Sequence, residues 1–123
     1  MKNDILKWLK QAEADLRTAK HSFESGDYYA AAFWCQQTVE KALKYVVLTK
    51  GKEIIRTHDV IYLGKKAEMP DDLLEKIKPL LAVAIESRYG DILEEMPFEK
   101  FNQENTESFM TIANEALKWI QEI

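Results

Sequence analysis

With 123 residues, 46 % of them hydrophobic and 31 % charged, and only four Gly and three Pro, the chain has the length and balance of one folded, helix-rich domain, not of a disordered tail or a two-domain protein. A net charge of −4 and a pI near 5.3 argue against holding duplex nucleic acid through bulk electrostatics, which needs clustered Lys and Arg. The single Cys35 excludes an internal disulfide and a cysteine zinc site, the start MKNDILKWLKQAE is too charged for a signal peptide, and no run reaches the ~20 apolar residues of a membrane span, so a cytoplasmic chain with no membrane partner is expected.

Residues 4–24 read as a first helix, because Ile5, Trp8, Leu9, Ala12, Leu16, Ala19 and Phe23 recur at three- and four-residue steps. Gly26 is placed to end it in a left-handed cap, and Asp27 to cap the next helix, which makes a tight helical hairpin. The second helix, closed by Gly51, carries its main apolar stripe on Tyr28, Ala31, Ala32, Cys35, Val39, Ala42, Leu43 and Val46, with Phe33, Trp34, Tyr45 and Leu48 on other sides. Such a helix is expected to be buried on more than one side, by other helices or by a second subunit. Within it stands a polar insert, QQTVEKALK, whose Gln37, Lys41 and Lys44 lie opposite the stripe and whose Glu40 lies at its edge, in the favourable i,i+4 order with Lys44.

After a connector, Thr57 is expected to cap a short third helix of roughly ten residues over 58–67, with His58 in its first turn and neutral there because the helix end disfavours an imidazolium. A fourth helix begins at Pro70 with two Asp residues in its first turn, and Pro79 is expected to kink or split it. The stretch ESRYGDILEEMPFEKF, with Gly90 and Pro97, reads as a surface loop, and a final helix capped by Asn105 or Thr106 buries Phe109, Ile112, Ala113, Ala116, Leu117 and Ile120. The fold expected is all-α, an up-and-down bundle of about five helices.

Three pieces, WLKQAEADLRTAKHSFESGDYYAAAFWCQQTVEKALKYVVL, THDV at 57–60 and ESRYGD at 86–91, together resemble the small HEPN-domain proteins, prokaryotic helical bundles often encoded beside a minimal nucleotidyltransferase. The resemblance runs through nearly the whole chain. It implies a single HEPN-like domain over residues 1–123, a homodimer, and a polar groove beside the second helix made of Gln37, Glu40, Lys41, Lys44, His58, Arg88 and Tyr89. Some relatives are ribonuclease toxins with an Arg followed after four to six residues by a His, late in the chain. That motif is missing here: no His follows Arg88, and Arg56 and His58 are separated by one residue. No catalytic residue, cofactor or metal site is therefore assigned, and His58 beside Asp59 offers too few ligands for a metal.

For each candidate a plain and a functional reading stand together. The polar residues of the second helix are either a solvated stripe or, framed by Phe33 and Leu48, the lining of a ligand groove in which the ammoniums meet phosphate. His58 either ties the connector to the second helix or serves the groove. Arg88 and Tyr89 either finish the fourth helix or hold phosphate and stack. Trp34 and Tyr45 either join the core or anchor a dimer face, and Cys35 is an inert small hydrophobe. The leading functional expectation is a non-catalytic binding protein for a nucleotide or other phosphate-bearing ligand, paired with a nucleotidyltransferase in a toxin–antitoxin-like system. Beside it stand a ribonuclease using Arg88 with His58, and a purely structural adaptor.

Overall fold

The protein is described by a computed structural model covering residues 2–53, 56–86 and 95–123. It consists of α1 (Lys2–Glu24), α2 (Tyr28–Thr49), α3 (Val60–Lys66), α4 (Asp71–Ile77), α5 (Pro79–Glu86), α6 (Pro97–Lys100) and α7 (Gln103–Gln121), with no strand among the described residues. The apolar periods of the sequence account for the long helices: Ala12, Leu16 and Ala19 of α1, Val39 and Leu43 of α2, and Ala113, Leu117 and Ile120 of α7 meet in one core. Fully burying a side chain such as Leu43 contributes about 1.5–3 kcal/mol.

α1 and α2 are antiparallel. The chain reverses at Gly26, whose φ of 81° is left-handed, and the amides of Gly26 and Asp27 return to the carbonyls of Phe23 and Ser22 at 3.1 and 2.8 Å. That pair of bonds closes a helix end only when the residue after it takes a positive φ, which glycine does without a Cβ clash. Asp27 stands at the N-cap of α2, but its side chain makes no capping bond and only its carbonyl accepts, from Ala31. α2 ends in the same way at Gly51, with φ 73°.

α3, α4 and α5 form the return leg of the bundle. Proline splits the expected fourth helix outright: α4 stops at Ile77, Lys78 follows, and α5 starts on Pro79. Gly64 permits α3 and α4 to approach closely, since a Cβ there would lie 2.6 Å from Leu74 Cδ1. α7 then runs beside α2 in the same direction, with Thr106 Oγ1 donating to the Tyr28 carbonyl at 3.5 Å and Cys35 Sγ 3.3 Å from Met110 Sδ. α2 thus touches α1, the return leg and α7, which is why it is apolar over so much of its circumference.

Three expectations are corrected. The N-cap of α3 is Asp59, which accepts from the Ile61 and Tyr62 amides, while Thr57 Oγ1 accepts from the Asp59 amide; His58 therefore precedes the helix and does not lie in its first turn. α7 starts three residues early, because Asn102 and Asn105 cap each other reciprocally, and Thr106 is buried inside the helix. Pro97, expected in a loop, opens the single turn of α6, where its missing amide loses nothing. The earlier part of that expected loop, residues 87–94, lies outside the described residues. Among the described residues no helix is long and apolar enough to cross a membrane.

Candidate functional site

At 3.6 residues per turn, Gln36, Gln37, Glu40, Lys41 and Lys44 spread over an arc of about 140° on α2. The sequence offers two settings for that face, and burial excludes the first. It is not a solvated stripe: Gln36, Gln37, Glu40 and Lys44 are 0, 8, 3 and 8 % exposed. α1 covers one flank and the connector at His58 the other.

Buried polar groups persist only when paired, and here the pairing converges on one carboxylate. Gln37 Nε2 donates to Gln36 Oε1 at 2.8 Å, and Gln36 Nε2 donates to Glu40 Oε1 at 2.8 Å. Lys44 Nζ donates to Glu40 Oε2 at 3.0 Å, and His58 Nδ1 lies 2.8 Å from Glu40 Oε1. Burial alone would raise the Glu40 pKa, but the bonds from Gln36, His58 and Lys44 and the Lys44 charge outweigh it and hold the carboxyl below its ordinary value.

A second pair lies alongside. Lys41 Nζ donates to Asp15 Oδ2 of α1 at 2.6 Å, and Gln11 Nε2 donates to Asp15 Oδ1 at 2.9 Å. Each ammonium also faces an indole, Lys41 over Trp34 at 5.9 Å and Lys44 over Trp8 at 5.5 Å. The seam therefore alternates two carboxylates and two ammoniums with no net charge of its own. Among the described residues, no buried side-chain nitrogen or oxygen lacks a partner.

Of the predicted set, Gln37, Glu40, Lys41, Lys44 and His58 come together; Arg88 and Tyr89 lie outside the described residues. Each ammonium already holds a buried carboxylate, Lys44 almost wholly enclosed and Lys41 a fifth exposed. His58 is the outward member, its side chain 60 % exposed. Gln11, Asp15, Gln36 and Trp8 belong to the same seam and were not foreseen. A signal existed for two of them: Asp15 shares the helical register of Ala12 and Ala19, and Gln36 that of Ala32 and Val39, so polar groups in an apolar register had to be paired inside.

Trp34 and Tyr45 are half-buried against the chain's own core. Trp34 meets the Phe33 ring edge-on at 5.0 Å, and Tyr45 walls a groove of about 450 Å³ with Ile5, Leu6 and Leu48. Burial pushes the Cys35 thiol up to about 12, which suits an inert core residue. Among the described residues, no three His, Cys, Asp or Glu side chains cluster as metal ligands would.

The HEPN domain matches residues 5–123, which takes in both helices of the seam and the connector. The chain belongs to the HEPN family. Its fold is similar to the crystal structure of TT1696 from Thermus thermophilus, with a TM-score of 0.88 and 30 % identity over 98 % of both chains. It is also similar to ST0689, an archaeal HEPN homologue, with a TM-score of 0.82 and 31 % identity over 96 % of this chain and 95 % of that one. No curated protein matches. In this HEPN chain the seam thus sits within the part of the sequence that carries the family's fold.

Proposed function

We propose that this HEPN protein is a non-catalytic binding protein that receives a nucleotide, or a similar phosphate-bearing ligand, at the mouth of the α2 seam and acts with a separate minimal nucleotidyltransferase in a toxin–antitoxin-like pair. The observation that carries the binding half is the exposed His58 ring, held by a buried cluster of fixed geometry beside two lysines. An ammonium has three donors and its carboxylate takes one, so Lys41, a fifth exposed, retains donors for a phosphate oxygen. Preorganised side chains lose little freedom when a ligand arrives, which favours binding. The nucleotidyltransferase and a homodimer rest on the family resemblance.

Calorimetric titration with a panel of nucleotides tests this on wild type, Lys41→Ala and Arg88→Ala. Heat with wild type that weakens in both variants is the expected result. No heat with any nucleotide removes the ligand.

A second reading, a ribonuclease, is favoured by the Glu40–His58 contact, because a carboxylate-held imidazole is a common general base or acid. Total RNA incubated with wild type and His58→Ala decides it: cleavage that survives in the variant does not come from this site.

A further inference from the structure

We infer that Glu40 is a positioning residue that keeps a hydrogen on His58 Nδ1 and turns the Nε2 lone pair outward, so that the ligand of the proposed site meets a hydrogen-bond acceptor and offers a ribose hydroxyl to it. This rests on the binding reading above for its ligand half only.

The direction of every bond around Glu40 is forced. An amide nitrogen and an ammonium only donate, so Gln36 Nε2 and Lys44 Nζ place hydrogens on Oε1 and Oε2. The Gln36 amide cannot turn over, because its oxygen would then face the acceptor-only carboxylate of Glu40. Glu40 stays ionised among these donors and accepts only. The ring nitrogen 2.8 Å from Oε1 must then be an N–H, and the proton that His58 gains or loses is the one on Nε2. The ring is 60 % exposed on a connector, and among the described residues no hydrogen bond is made by Nε2.

The class of ligand follows from what stands next to it. The Nε2 lone pair opens on the side of the ring away from Glu40, and the part-exposed Lys41 of the same seam keeps donors for an anionic group. A ligand that uses both carries an anionic group and a hydrogen-bond donor. In a nucleotide the sugar hydroxyls are the donors that do not depend on which base is attached. The seam has no net charge of its own, so the donor hydroxyl adds selectivity that phosphate attraction alone does not give.

Two measurements separate the halves. Nitrogen-15 spectra of the imidazoles, recorded at a pH where the rings are neutral and without ligand, read the tautomer directly. His21, on the exposed face of α1 with no side-chain hydrogen bond among the described residues, is the internal reference. His58 should be an Nδ1–H tautomer where His21 is a mixture, and folded Glu40→Leu should return His58 to the His21 pattern. A His58 mixture like that of His21, an Nε2–H tautomer in wild type, or an unchanged tautomer in folded Glu40→Leu overturns the positioning role. Wild type alone suffices should Glu40→Leu not fold. Calorimetry then compares adenosine 5′-monophosphate with its 2′,3′-dideoxy counterpart, which keeps the phosphate and base: a loss of about tenfold is expected for one unmade hydrogen bond. Equal affinity overturns the hydroxyl selectivity, and no heat from either removes the binding reading while the tautomer result stands.

Discussion

Glu40 is 3 % exposed yet ionised, because Gln36, Lys44 and His58 all donate to it. Removing one member of such a buried pair strands the other, so Glu40→Ala should lose about 3–5 kcal/mol in urea unfolding. His58→Ala, which removes an exposed ring, should lose less than about 1 kcal/mol, and that difference makes it the safer functional probe. The sign of the pH dependence follows from the lowered pKa of Glu40. The stabilisation is complete above the ordinary value of 4.5 and is lost as pH falls through the lower folded value. The stability gap between wild type and Glu40→Gln should therefore be constant near neutrality and close in acid; a gap that widens in acid contradicts the assignment. At this scale the sequence revealed which residues of α2 are polar and that Glu40 and Lys44 pair. It hid the partner from α1, because Asp15 and Lys41 are 26 positions apart and only the hairpin register brings them together.

Helix ends show where local signals suffice and where they compete. α1, α2 and α3 close with the same two backbone bonds, at Gly26, Gly51 and Glu68. Both glycines were legible, since glycine is the residue that tolerates this geometry. Glu68 was not, for it holds φ at 61° without glycine's freedom, next to Lys50 and Lys52. Glu68→Gly should raise Tm by a few degrees, relieving a left-handed strain that exceeds the small worth of exposed ion pairs; a fall in Tm in a thermal scan would show that the ion pairs matter more. Pro79 split its helix as its chemistry requires. The caps at Asp59 and Asn102 were missed because Thr57, Asn105 and Thr106 are also capping side chains nearby, and the choice among them falls to packing, which buries Thr106.

Across the molecule, α2 is the axis on which α1, the return leg and α7 are laid, and that much follows from its near-continuous apolar surface. What the period could not say is that its polar insert also faces inward. A helix with five polar side chains at 8 % exposure or less gives up a solvated face and gains a rigid seam whose outlet is His58. Tyr45 and Trp34 are half-buried in the same chain, so a homodimer formed through them would enlarge an existing core contact.

Ligand is expected to meet the protein at this outlet. The decisive test follows amide and side-chain chemical shifts while ribonucleoside 5′-monophosphates are added to millimolar excess. Shifts should concentrate at Gln37, Glu40, Lys41, Lys44 and His58, with the exposed face of α7 unmoved and the affinity weakened about tenfold in His58→Ala. No shifts at saturating nucleotide, or shifts that cluster away from α2 and persist in His58→Ala, would contradict it.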